Sequence, residues 1–256
     1  MRVTMLGCGP SWGVPRVGGE WGACDPLDPR NRRRRVSVLV EEAGEVLLID
    51  TAPDLREQLL DARVRRVDAV LFTHAHADHL HGIDDLRSVN WLMEQAIPIF
   101  ANADTLAEID RRFGYVFDAA RADRRSAYYK PVLEPNEING PFTAAGMGII
   151  PFIQGHGFSK TLGFRVGGFA YSTDVIELDD AAFWALAGVE VWIVDCIRRA
   201  PHVTHAHLDK TLAWIARVKP RRAILTHMDE SLDYQTLSRE LPPGVEPGRD
   251  GLVIDL

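Results

Sequence analysis

The chain has 256 residues, 46% of them hydrophobic and 25% charged, with a net charge of −7. That length supports one substantial core, and the acidic balance argues against broad, nonspecific nucleic-acid binding. No stretch approaches the roughly 20 apolar residues of a membrane span, and the first residues lack the apolar run of a signal peptide. Cys8, Cys24 and Cys196 are odd in number and unpaired in spacing, which fits a reducing compartment. The expectation is a soluble cytoplasmic protein.

In chain order, Val3 to Leu6 reads as a strand ending at Gly7-Cys8-Gly9-Pro10, and a Gly/Pro-rich loop follows to about Asn31. The run Arg30-Asn31-Arg32-Arg33-Arg34-Arg35 precedes two strands, Val36–Glu41 and Glu45–Ile49, joined by the turn Glu42-Ala43-Gly44. Asp54–Ala62 reads as helical and Val67–Phe72 as a strand. A helix is expected from about Leu80 to Glu94, a strand at Ile97–Ala101 and a helix at Asp104–Phe113. Tyr115–Asn139 has little periodicity and reads as an insertion or lid. Strands resume at Gly148–Ile153, Leu162–Val166 and Ala170–Ser172, followed by a helix at Asp179–Ala187 and an apolar strand at Val191–Val194. The last third adds a helix at Asp209–Val218, a strand at Ala223–Leu225, a helix near Tyr234–Leu241 and a strand at Leu252–Ile254. Early strands form hairpins and later ones alternate with helices, so two mixed sheets covered by helices fit better than one parallel sheet. One domain over residues 1–256 suffices.

The chemistry concentrates in Thr73-His74-Ala75-His76-Ala77-Asp78-His79-Leu80, at a strand-to-helix junction. In an extended segment alternate residues share a face, so His74 and His76 point the same way. Asp78 and His79 are adjacent and diverge, which suits a second ion. Imidazole with carboxylate favours zinc, manganese or iron over calcium. Further ligand-type residues stand just past apolar runs: His156 between glycines, Asp174 after Tyr171-Ser172-Thr173, and His227 after Ile224-Leu225-Thr226.

This His-x-His-x-Asp-His motif, followed by a lone His, a lone Asp and a final His, resembles the metallo-β-lactamase superfamily. Asp50, closing the strand Val46–Ile49, matches that superfamily's first motif. The resemblance implies an α/β fold, a four-layer αββα sandwich, with two divalent metal ions, Zn2+ or Mn2+, at one edge. By position, His74, His76 and His156 would bind the first ion and Asp78, His79 and His227 the second. Asp174 would bridge them, and Asp50 would orient a ligand or the shared solvent.

Three features narrow the activity that the resemblance implies. Gly82-Ile83-Asp84-Asp85-Leu86-Arg87 looks like the phosphoribosyl 1,2-cyclic phosphate phosphodiesterases of phosphonate breakdown, although acids in a first helical turn and an Asp84–Arg87 pair would also be favourable without any such role. The loop Gly7-Cys8-Gly9-Pro10-Ser11-Trp12-Gly13-Val14-Pro15 begins that family too. His205, 22 positions before His227, has the spacing of the proton-donating histidine in this family and in ribonuclease Z. His207 is a secondary supporting residue, and His202 and His81 read as structural. The expected reaction is hydrolysis of a small cyclic phosphodiester by a hydroxide shared between two ions, with Asp78 and His205 catalytic. Arg34, Arg35 and Ser37 are candidates for holding a second phosphate.

Family members can also carry a cysteine-rich structural zinc site in the N-terminal loop. Here only Cys24 remains, and Met228-Asp229-Glu230 supplies no histidine. A closed structural site needs about four ligands, so none is expected, and Cys8 and Cys196 read as inert core thiols. Ribonuclease Z is the nearest alternative, but no long basic arm for transfer RNA is present. Thioester and lactone hydrolases share the metal ligands without the acid at His205, and a non-catalytic binding protein would have lost ligands. The expected partner is a small phosphorylated substrate, with no membrane and no extended nucleic acid, and a homodimer is compatible with the family.

Overall fold

A computed structural model of the chain describes residues 1–118 and 130–256. The reading of Tyr115–Asn139 as an insertion falls partly on 119–129, outside the described residues.

The first sheet contains β1 (Arg2–Gly7), β2 (Ser37–Glu42), β3 (Glu45–Ile49), β4 (Ala69–Leu71), β5 (Ile97–Ala101) and β6 (Leu133–Glu137). The second runs through β7 (Phe142–Ala144), β8 (Met147–His156), β9 (Ser159–Val166), β10 (Phe169–Ser172), β11 (Val191–Asp195), β12 (Arg222–Thr226) and β13 (Val245–Pro247). The last strand, β14 (Leu252–Asp255), returns to the first sheet beside β1. The spatial orders are therefore β14-β1-β2-β3-β4-β5-β6 and β13-β12-β11-β10-β9-β8-β7.

The two sheets repeat one pattern. In the first, the pairings β14/β1, β1/β2 and β2/β3 are antiparallel, and β3/β4, β4/β5 and β5/β6 are parallel. In the second, β7/β8, β8/β9 and β9/β10 are antiparallel, and β10/β11, β11/β12 and β12/β13 are parallel. Strands β3 and β10 are thus equivalent, each being the switch from antiparallel to parallel pairing. The sequence carries no visible repeat, so this equivalence lives in the topology alone.

Side-chain alternation explains the layers. Leu47 and Ile49 of β3 join Val38, Val40 and Leu71 in the core between the sheets, with Phe164, Val166, Tyr171 and Ile193 opposite. Val46 and Leu48 point the other way, into a second core beneath α1 (Leu55–Asp61), α3 (Leu86–Met93) and α4 (Ala103–Phe113). On the far side of the second sheet, Ala182 and Leu186 of α5 (Asp180–Leu186) complete the packing. They are joined by Trp214 and Ile215 of α6 (Leu208–Val218) and Leu237 of α7 (Tyr234–Glu240). Strands buried on both faces are apolar throughout, which is why their sequences show no polar alternation. The result is the expected αββα sandwich.

Two expectations need correction. The helix from Leu80 to Glu94 is broken into α2 (Ala77–Leu80), a 3-10 turn at Ile83–Asp85, and α3. The break sits at Gly82, whose N–H donates to Thr51 O at 2.9 Å and whose site would put a Cβ 2.0 Å from Ala52 O. The stretch read as an insertion contains β6, a polar edge strand with a proline at 135. An edge position tolerates the missing N–H of this proline.

Candidate metal centre

The donor residues all follow the C-terminal ends of strands or lie in the loops between them. Thr73 and His74 come just after β4, with His76 capping and Asp78 and His79 within α2. His156 ends β8, Asp174 follows β10, and His227 follows β12. Asp50, Asp174 and His227 each adopt a left-handed backbone, with φ of 62°, 53° and 59°. Non-glycine residues in this region are uncommon, and such strain gathers at functional sites.

These turns bring the side chains into one cluster, buried except for the exposed His76. His74, His76, His156 and Asp174 each offer a ligand atom within 4.8 Å of the others, and so do Asp78, His79 and His227. A third such set comprises Asp174, His205 and His227. Asp174 divides them. Its Oδ1 lies 3.7, 3.6 and 3.7 Å from Nε2 of His74, His156 and His205. Its Oδ2 lies 3.0 and 3.3 Å from Nε2 of His79 and His227. Asp78 Oδ2 closes the second group, 3.5 Å from His79 and 3.6 Å from His227.

A second layer fixes these rings. Asp50 Oδ1 accepts the Thr73 N–H and Oδ2 accepts the Thr73 hydroxyl, both at 2.8 Å; Oδ2 also lies 2.7 Å from His79 Nδ1. That bond turns His79 Nε2 towards Asp174. His156 Nδ1 donates to Thr204 O at 2.8 Å. His205 Nδ1 lies 3.0 Å from the carboxylate of Asp195, a fully buried residue at the end of β11. The sequence reading missed Asp195, Thr73 and Thr204. A signal for Asp195 exists: it closes an apolar strand as Asp50 and Asp174 nearly do.

Burial disfavours a charged Asp174, but His227, His79 and His205 outweigh it and hold the carboxyl well below the usual range. Burial also opposes charge on Asp78, yet the nearby imidazoles of His79 and His227 lower it. For His79 burial is overcome by Asp174, Asp78 and Asp50, which raise it well above an ordinary histidine. Burial and then the charge of His79 keep His74 neutral. Burial of His205 is outweighed by Asp195 and Asp174, which raise it to about 9.

The site is the right kind for divalent metal ions. Three buried carboxylates, Asp50, Asp78 and Asp174, concentrate negative charge there. The buried atoms His74 Nε2, Asp78 Oδ2, His79 Nε2 and His227 Nε2 have no directed hydrogen-bond partner. Unpartnered buried polar atoms are costly, and mixed imidazole and carboxylate donors suit a transition-type divalent cation.

Other expected residues lie elsewhere. Arg34 is paired with Asp61 at 2.8 Å and Asp250 at 3.1 Å, and Arg35 with Asp54 at 2.9 Å. Ser37 is fully buried, its hydroxyl directed to Ile49 O and Asp50 O. Carboxylates and carbonyls already engage these three candidates for holding a phosphate. His207 begins α6 without a capping bond, outside the donor cluster. His81 packs on Phe113 and His202 on His205.

The residue of the arginine run that matters most to the centre is Arg33, only 1% exposed. It donates to Asp229 O at 2.9 Å, Leu232 O at 2.5 Å and Asn31 Oδ1 at 3.2 Å. It thereby ties the N-terminal loop to the segment following His227. Cys24 packs at the same junction, its Sγ 3.6 Å from Leu232 O. Burial raises the thiols of Cys8, Cys24 and Cys196, so they stay protonated.

The family is settled by comparison. Residues 46–228 match the model described as "Beta-lactamase superfamily domain", and the chain belongs to that superfamily. It is 33% identical, with a TM-score of 0.90, to the crystal structure of a new diphosphatase from the PhnP family, covering 99% of this chain and 97% of that one. It is also 33% identical over 258 residues to an octanoyltransferase from Porphyromonas gingivalis, covering 98% of this chain but 51% of that protein. The chain thus spans about half the length of that relative. A ribonuclease Z from Bradyrhizobium diazoefficiens is 37% identical over 98 residues, 37% of this chain and 33% of that protein. No helix among the described residues is long and apolar enough to cross a membrane.

Proposed function

We propose that the protein hydrolyses a small phosphodiester with two divalent ions, zinc or manganese. The observation that carries this reading is Asp174, whose two oxygens face two separate sets of histidines. His74, His76 and His156 would hold one ion, Asp78, His79 and His227 the other, and Asp174 both. When bound, such a pair lowers the pKa of water and stabilises the charge that develops on phosphoryl oxygens. Asp50 keeps His79 in the tautomer that presents Nε2 inward. Asp195 takes the Nδ1–H of His205 and leaves its Nε2 facing the cluster, where as an imidazolium it can donate a proton to the departing oxygen. The likeness to a diphosphatase and to ribonuclease Z supports a phosphorus centre. The octanoyltransferase match covers only half of that protein, so the named transfer need not reside in the shared half.

The test is a turnover panel on metal-loaded protein, comparing a ribose 1,2-cyclic phosphate, 2′,3′-cyclic nucleotides, a bis-aryl phosphate and a thioester. Phosphodiesters are expected to be preferred, and a preference for the thioester would overturn the reading. Asp174→Ala is expected to lose both metal content and activity.

A further inference from the structure

A cleft of about 780 Å³ opens beside His74 and His76. One wall is α4 and the other is the hairpin of β8 and β9, where the short β7 ends and pairs β8 only as far as Ile149. We infer that this cleft is a subsite for a flat, uncharged group carried by the substrate, such as a nucleobase or an aryl ring. The inference rests on the phosphodiesterase reading and names the substrate class.

Three observations carry it. First, the hairpin wall is predominantly apolar: Phe152, Ile153, Phe158 and Leu162 line it beside the polar Ser159, Lys160 and Thr161, and pockets of this size, mostly apolar with a few polar groups, hold rings rather than ions. Second, its charges cancel. Two acids, Asp104 and Glu108, face two bases, Arg112 and Lys160. Arg112 is not free either: its Nε bonds Glu108 at 2.9 Å and its Nη1 bonds Ala75 O at 2.7 Å. Among the described residues no excess positive charge remains there for a second phosphate, so the occupant inferred is uncharged.

Third, Phe158 is 98% exposed, on a turn of two residues between His156 and Ser159. Gly157 has φ 63°, and a Cβ there would lie 2.6 Å from the Thr204 side chain. The same loop accepts the His156 bond through Thr204 O. The backbone of the turn is therefore seated on a fixed partner, and Phe158 projects from it next to His156. With Ile153, 54% exposed and lining the same cleft, it gives the mouth an exposed apolar edge.

The experiment compares 2′,3′-cyclic AMP with methyl riboside 2,3-cyclic phosphate, which differ only in the base, on wild type and Phe158→Ala. Removal of one stacking partner costs on the order of tenfold in binding. Wild type is expected to show a KM at least about tenfold lower for the base-bearing diester, and the variant to narrow that ratio to about threefold or less. Calorimetry with adenosine 3′-monophosphate and ribose 3-phosphate reads the same preference without turnover. If no diester is hydrolysed but the nucleotide binds preferentially and Phe158→Ala removes the preference, the subsite stands and the phosphodiesterase reading falls. Equal binding of the two ligands by wild type, or an unchanged ratio in the variant, overturns the subsite.

Discussion

His205 Nδ1 and Asp195 Oδ2 stand 3.0 Å apart, and the same oxygen accepts the Val175 N–H at 3.0 Å. The carboxylate is therefore held by the backbone that follows Asp174, and it fixes the imidazole from behind. Asp195→Asn keeps the shape and removes the charge that favours the imidazolium. Turnover of a diester with a poor leaving group is expected to fall on the order of 100-fold, and that of a p-nitrophenyl diester far less. Parallel kcat measurements on the two substrates check this. Equal losses would show a structural role alone.

Chelation should be felt by the whole fold. The donors come from both halves, His74, His76, Asp78 and His79 beside the first sheet and His156, Asp174 and His227 from the second. Saturation at about 1,000 times Kd contributes about 4 kcal/mol to stability, or roughly 10 °C in Tm at this chain length. Scanning calorimetry with and without a chelator measures it, and an unchanged Tm would contradict a shared centre.

Arg33→Met takes the guanidinium from two buried carbonyls, leaving Asp229 O only the Leu232 N–H at 3.3 Å and Leu232 O only the weak Cys24 thiol. A loss of about 3 kcal/mol is expected in urea denaturation. Metal affinity should fall by about tenfold as the segment after His227 loosens. Arg33→Lys should not restore it, because an ammonium lacks the planar fork that reaches both carbonyls. Full affinity in Arg33→Met would show that His227 is held without this brace.

Asp233 caps α7. Its carboxylate accepts the Thr236 N–H at 2.8 Å, the Asn31 amide at 2.8 Å and the Asp25 N–H at 3.2 Å. Burial raises the group, but these bonds outweigh it and hold it well below the usual range. A lowered native pKa contributes stability above the unfolded value of about 3.9, lost as pH falls through the native value. Asp233→Ala is expected to cost about 1 kcal/mol at neutral pH and much less in acid. Denaturation curves at pH 7 and pH 2.5 test the difference.

The ligand set was readable because four donors sit within residues 74–79 and the others stand alone after apolar strands. Asp195 escaped notice because its partner, His205, comes ten residues later across a loop. The ion pairs of the arginine run were hidden for a related reason. Nothing local distinguishes a solvated or substrate-facing Arg34 from one paired with Asp61 and Asp250, and those acids are 27 and 216 residues away. Strand β6 was hidden by its own polarity, since an edge strand shows neither the apolar run nor the clean alternation of its neighbours.

The left-handed backbone recurs at Asp50, one residue after β3, and at Asp174, two residues after β10, where each sheet changes from antiparallel to parallel pairing. Glycine adopts that conformation freely, so both positions keep a carboxylate where the main chain alone would favour none. Robustness and chemistry are therefore opposed at the same two residues. Asp174→Gly should relax the apoprotein and resist denaturant better than Asp174→Ala, while both lose the metal. A library of metal-free protein selected for heat resistance alone would drift towards glycine at Asp174 and abandon the reaction.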